Sequence, residues 1–306
     1  MMDQAAKLRI LAAGDRVPEA MAYAAVPAPR WTGTRVIAVT SGKGGVGKTT
    51  VAVNLALLLA EEAGKVLIVD ADLGLANVDV LLGLESARHI GHILFSDYDP
   101  DEVAAVVPGG VKVISGGSGL RDLARVSSAE RRLLLDKLCA YYQQFRYVLV
   151  DTSPGIGDDV VDFLRGSDEI LLVTTPEPTA LRDSYAAAKT MAQEVPDIDV
   201  RVVVNAASSD RQAEETVAVL NEVAGRFLDR RYERWHRIAA DPCAAKSVNL
   251  CRALVHLFPR SPAAISFRRL ARSLAGAAGA LHFQKASGTE GDPRIGRSGR
   301  LSCVKL

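Results

Sequence analysis

The residues best suited to chemistry lie together in SGKGGVGKTT, residues 41–50. Gly42, Gly47, Lys48 and Thr49 fill the phosphate-binding pattern G-x-x-x-x-G-K-[ST]. Glycines are needed because the backbone must curl until consecutive N–H groups, from Gly44, Gly45, Val46 and Gly47 on through Lys48, Thr49 and Thr50, point at phosphate oxygens. Lys48 is then placed to reach the β- and γ-phosphates of a nucleotide, and the Thr49 hydroxyl to ligate Mg²⁺. Carboxylates complete the set. Asp70 and Asp72 stand at i, i+2 where the apolar run KVLIVD ends. Asp151 follows YVLV, where a strand-tip carboxylate holds Mg²⁺ through water. Each aspartate alone is also what a strand-end turn or a helix cap uses. Together, Lys48, Asp72 and Asp151 describe positioning and charge neutralisation at a transferring phosphoryl group, with water as acceptor.

Those residues must be carried by strand tips. Six short β-branched runs read as buried parallel strands: 35–40, 65–70, 111–115, 147–151, 169–175 and 200–205. Amphipathic segments at 48–63, 128–144, 179–194 and 211–228 lie between them. This rhythm predicts right-handed βαβ units and an α/β fold with a doubly wound, mainly parallel sheet covered on both faces. Ligands in such folds bind at the carboxyl ends of the strands, here just after Thr40, Val69, Val150 and Val204. The helix that opens at the glycine loop adds the positive end of its dipole. Around this domain, residues 35–284, the expected organisation is a short amphipathic helix at 1–11, a proline-containing linker at 12–34 and a disordered Gly-, Ser- and Arg-rich tail at 285–306.

Composition narrows the function classes. Of 306 residues 48% are hydrophobic and 24% charged, so the chain can bury an ordinary core and is not intrinsically disordered as a whole. Lys plus Arg is 37 against 36 for Asp plus Glu, and no global field draws it to nucleic acid or anionic lipid. No window reaches the roughly 18 uncharged apolar residues of a membrane span, and MMDQAAKLRILAAGDR is no secretory signal. Cys139, Cys243, Cys251 and Cys303 form no CxxC pair, which suits a reducing cytoplasm better than disulfides or zinc. The five histidines are scattered, without metal-ligand pairing.

Lys43, an early lysine in KGGVGKTT, is by itself a solvated loop residue or a ligand to phosphate. KGGxGKT[ST] resembles the deviant Walker A loop of the MinD/ParA family of SIMIBI-type P-loop NTPases, and the resemblance covers about residues 35–276. It implies a homodimer closed around two ATP molecules with Mg²⁺, in which Lys43 crosses to the partner's nucleotide. It further implies that Asp72 orients the attacking water, that Asp70 assists Mg²⁺, and that DTSPG (151–155) senses the γ-phosphate. GLANVD (74–79) resembles the segment that reorganises with that phosphate, with Asn77 capping a short helix. Asn205, in VVVNAAS, falls where the family reads adenine through an amide, and residues 240–242 fall near the base.

Within that family, DADLGLANVDVLLGL (70–84) resembles the flagellar-number regulators called FlhG, FleN or YlxH. Asp3, Gln4, Ala5, Leu8 and Arg9 match their D-Q-A-x-x-L-R element, which docks on the SRP-type GTPase FlhF and stimulates its GTP hydrolysis. The resemblance thus implies an ATP-hydrolysing switch of flagellar number or placement. Its implied partners are a second copy, a FlhF-type GTPase, flagellar C-ring proteins and the flagellar transcription activator. No specific nucleic acid is expected. Residues 257–276 resemble the last helix of this group, and residues 277–284 are the candidate for the membrane-targeting helix that usually follows, which would bring a cytoplasmic protein to the inner face of the membrane or the pole. Two other readings of the same loop are a septum-site or chromosome-partitioning ATPase and a nucleotide-bound signalling adaptor. Arg268, Arg269 and Arg272 would be the DNA-holding surface of a partitioning protein, or else a solvated helical face.

Overall fold

The computed structural model describes residues 33–73, 77–117 and 126–286; the expected helix at 1–11, all but the end of the linker, and residues 287–306 lie outside them. Among the described residues there are eight strands: β1 (Arg35–Thr40), β2 (Val66–Ala71), β3 (Ala105–Val106), β4 (Lys112–Ile114), β5 (Tyr147–Thr152), β6 (Glu169–Thr174), β7 (Asp199–Ala207) and β8 (Trp235–Ala239). They form one sheet in the order β3-β4-β2-β5-β1-β6-β7-β8, parallel throughout except for β3 against β4. The expected doubly wound parallel sheet is what the chain forms. All six residues of β1, β2, β5 and β6 are buried, which is why those strands read as unbroken apolar runs.

The helices are α1 (Lys48–Ala63), α2 (Asn77–Leu82), α3 (Ile90–Phe95), α4 (Pro100–Val103), α5 (Ser128–Tyr142), α6 (Asp158–Arg165), α7 (Pro178–Glu194), α8 (Asp210–Leu228), α9 (Pro242–Asn249), α10 (Leu254–Leu257) and α11 (Pro262–Ala286). On one face α1, α10 and α11 pack against Ile37, Val39, Ile68, Leu149, Leu171 and Val203. On the other, α3 and α5 cover the β2–β5 half, while α7 and α8 cover β6 and β7. Local chemistry sets the helix ends. Gly47, at φ 89°, turns the loop into α1, and Ser127 with Glu130 closes a reciprocal capping box on α5.

At the amino ends of the strands the buried Glu169 carboxylate binds Arg35, Arg201 at 2.9 Å and Arg234 at 3.3 Å. Arg35 also donates to the Leu274 carbonyl at 2.7 Å, and Arg201 to Ser273 Oγ at 2.8 Å, so this cluster clamps α11 to the sheet.

Three features differ from the expectation. The strand β8, in WHRIA, lacks an apolar run because Trp235, His236 and Arg237 lie at the sheet's margin and stay partly exposed. Helix α6, eight residues at Asp158–Arg165, crosses between β5 and β6 where no amphipathic segment is expected. The last helix starts at Pro262 after a separate turn at 254–257, and its backbone runs through Ala286, so 277–284 continues α11. No helix among the described residues is long and apolar enough to cross a membrane.

Candidate functional site

Lys48, Thr49, Asp70, Asp72 and Asp151 converge at the carboxyl edge of β1, β2 and β5. Asp70 and Asp151 are register partners on neighbouring strands, and Val39, next to the loop, pairs with Asp151 on the other side. The loop 41–47 is braced from several directions. Gly155 N donates to the Ser41 carbonyl at 2.8 Å, and Ser41 Oγ donates to the Lys43 carbonyl at 2.9 Å. Gly42 lies so close to α7 that a Cβ there would sit 2.0 Å from the Asp183 carbonyl oxygen. Gly45 and Gly47 take φ values of 81° and 89°, a region that side chains disfavour.

Lys48 is buried and its ammonium meets Asp151 Oδ1 at 2.9 Å. The other oxygen, Asp151 Oδ2, is buried without a hydrogen-bond partner, and the Thr49 hydroxyl lies beside the same carboxylate. Burial raises the Asp151 pKa, while Lys48 pulls it back. An unsatisfied buried carboxylate oxygen facing a loop threonine fits a hydrated divalent cation, the chemistry expected of Mg²⁺.

Asp70 is fully buried. It accepts N–H bonds from Asp72 at 3.1 Å, Asn77 at 3.0 Å and Val78 at 3.1 Å. Asp70 therefore caps α2, the role the sequence reading gave to Asn77. Burial and the neighbouring Asp151 raise its pKa to about 8, against those N–H bonds. Asp72 accepts from Ser153 Oγ at 3.2 Å and from the Asn77 amide at 3.3 Å; burial raises its pKa and Lys48 lowers it. Its carboxylate thus links β2, the Ser153 loop and α2.

Lys43 points out of the loop to Thr179 Oγ1 at 3.1 Å and Glu177 Oε2 at 3.3 Å, at the start of α7. Asn205 Nδ2 donates to the Val46 carbonyl at 2.7 Å, a contact with the loop that the sequence reading did not anticipate. Asp241 caps α9 through Cys243 N at 2.9 Å and reaches Ala263 N at 3.0 Å, joining α9 to α11. Residues that sequence reasoning passed over include Ser153 and Gly116. A Cβ on Gly116 would lie 2.9 Å from the Asp72 carbonyl, and only the glycine pair in VISGGSG hints at that close approach. Asp3, Gln4, Ala5, Leu8 and Arg9 fall outside the described residues.

Residues 33–275 match the ParA family model described as the NUBPL iron-transfer P-loop NTPase. The chain belongs to the ParA/MinD family of P-loop NTPases. This ParA/MinD-family chain is 39% identical over 240 residues to the antiactivator FleN of Pseudomonas aeruginosa, covering 78% of this chain and 86% of FleN. It is 40% identical over 159 residues to the flagellum site-determining protein YlxH of Helicobacter pylori, covering 51% of this chain and 53% of YlxH. Among solved structures it is similar to the cell division ATPase MinD of Pyrococcus furiosus, with a TM-score of 0.68 at 25% identity over 79% of this chain and 99% of that one. MinD of Pyrococcus horikoshii, solved with Mg-ADP, gives a TM-score of 0.67 at 25% identity over 81% and 98%.

Proposed function

We propose that this chain is an ATP-hydrolysing switch that dimerises on ATP and regulates flagellar number or placement. The observation that carries the reading is the single crevice shared by Lys48, Thr49, Asp72 and Asp151, in a chain similar over most of its length to FleN. Loop N–H groups and Lys48 would bind and orient the phosphates of ATP. Thr49 and Asp151, with Asp70 behind them, would hold Mg²⁺, which supplies charge neutralisation on the phosphate oxygens. Asp72 would position the attacking water, held in place by Ser153 and Asn77. Lys43, on a partly exposed arm, would leave Glu177 and Thr179 to reach a second protomer's nucleotide. Asn205, at the loop's edge, would also meet the adenine.

The proposed organisation is an N-terminal partner element at 1–11, a linker at 12–34, the ATPase unit at 35–284 and a tail at 285–306. The N-terminal element would dock on a FlhF-type GTPase through Leu8 and the flanking Asp3, Ala5 and Arg9, and Gln4 would help orient that enzyme's water. C-ring proteins and the flagellar transcription activator are the further partners proposed. The ionic contacts of α11 weigh against a partitioning role: Arg268 and Arg272 lie 3.5 and 3.3 Å from Glu61 and Glu62 of α1, which reduces the cation surface open to DNA.

A synthetic peptide of residues 1–20 added to the organism's own FlhF-type GTPase tests the flagellar assignment. Accelerated GTP hydrolysis, largely lost with Gln4→Ala, is expected. GTP hydrolysis at its basal rate would return the protein to an unspecified ParA/MinD ATPase.

A further inference from the structure

Among the described residues the sheet ends on one side at β8, which pairs with β7 alone. Arg234 O accepts from Val202 N at 3.0 Å, so alternate residues Arg234, His236 and Ile238 turn their main chain to β7. Trp235, Arg237 and Ala239 turn theirs outward. The N–H of Ala239 is covered by Ser266 Oγ at 3.3 Å, whereas among the described residues no bond covers the N–H groups of Trp235 and Arg237. The edge carries no proline or lysine, and the charge of its Arg237 is drawn back onto Asp210 of α8 at 2.9 Å.

A groove of about 660 Å³ opens beside the start of β8, between α8 and residues 231–235, with Trp235 and the side chain of Arg231 on the strand side. Val217, Ala218 and Trp235 give it an apolar floor. Glu214 and Glu222 stand on its α8 wall, and neither is ion-paired among the described residues, while the adjacent Glu215 is taken by Arg211 at 2.8 Å. The groove is preformed. The Asn221 amide accepts from Tyr232 N at 2.7 Å and donates to Tyr232 O at 3.2 Å, fixing the 231–235 stretch against α8.

We infer that the β8 edge and the α8 wall form a docking site for an extended segment of a partner protein, added as a further strand, with basic side chains four residues apart and an apolar one midway between them. The spacing follows from two rises. Glu214 and Glu222 are eight helical residues apart, about 12 Å, and four residues of extended chain span about 13 Å. Alternate side chains of an added strand point the same way, so the middle one falls on Val217, Ala218 and Trp235. Main-chain bonds to Trp235 and Arg237 hold the segment, and the carboxylates select its register. The groove lies at the amino end of β8, whereas the phosphate loop lies at the carboxyl ends of the strands, so docking here does not require the nucleotide.

The test uses full-length protein and a fluorescein-labelled peptide, acetyl-Ser-Thr-Lys-Thr-Val-Thr-Lys-Thr-Ser-amide, followed by anisotropy. Saturable binding is expected, weakened at least tenfold by the double variant Glu214→Lys/Glu222→Lys and by Ala218→Arg, all at exposed positions. The unaltered protein offers an independent arm. N-methylation of one alternate set of peptide amides should abolish binding and the other set should be tolerated, because only one set faces β8. Affinity indifferent to charge reversal, equal tolerance of both N-methylated sets, or no saturation at about 1 mM peptide overturns the proposal. So does a nucleotide-free homodimer that Ala218→Arg dissolves, since a second copy would then occupy the edge.

Discussion

The side-chain amide of Asn205 donates to the carbonyl of Val46 at 2.7 Å, tying the carboxyl end of β7 to the phosphate loop across 159 residues of sequence. Its nitrogen is so close to the loop that a Cβ on Gly47 would lie 2.3 Å away. Removing the amide leaves a loop carbonyl without its partner. Asn205→Ala should therefore weaken nucleotide binding by roughly fivefold, the equivalent of about 1 kcal/mol for one hydrogen bond. Isothermal titration with ADP checks this; unchanged affinity would show that the loop holds its shape without β7.

Gly42 makes a second, harsher prediction. Its missing side chain is what lets the loop rest on the Asp183 carbonyl of α7. Gly42→Ala forces backbone apart from backbone, a strain of about 1–3 kcal/mol of the kind overpacking produces. The expected result is a melting temperature lowered by several degrees together with loss of nucleotide binding.

The third prediction concerns pH. His236 sits on β8, and burial, followed by Arg201 and Arg234, lowers its pKa to about 4. An unfolded histidine titrates near 6.5, so between about pH 6.5 and 4 the unfolded chain binds a proton that the folded chain refuses. This residue therefore subtracts stability as pH falls through that window and contributes no slope above it. The raised carboxylates of the site act in the opposite direction, which makes the difference between wild type and His236→Gln the informative quantity. Urea unfolding across the window should show the variant gaining on wild type as acid is added. A difference that stays constant with pH would contradict the assignment.

Much of this was legible in the sequence, for physical reasons that can be named. Strands β1, β2, β5 and β6 lie in the sheet's interior, so both of their faces demand apolar side chains and the runs announce themselves. The glycine loop is equally plain, because its backbone conformations at Gly45 and Gly47 constrain residue type. Strand β8 was not legible as a run, since a marginal strand mixes Trp235, His236 and Arg237. Asp70 shows a subtler limit. Sequence offers a cap or a site residue as alternatives, and the carboxylate both caps α2 and faces Asp151. The Asn205–Val46 bond and the Gly116 approach depend on distant elements, and no local pattern encodes them.

The most direct test of the central claim is the molar mass of Asp72→Ala by light scattering after gel filtration, in Mg-ATP and in Mg-ADP. If Asp72 positions the attacking water, the variant should bind ATP without consuming it and run as a dimer in Mg-ATP and a monomer in Mg-ADP. Adding Lys43→Ala should return the ATP form to monomer. A variant that stays monomeric in saturating Mg-ATP, or one that still turns ATP over at the wild-type rate, would contradict the ATP-driven dimer switch.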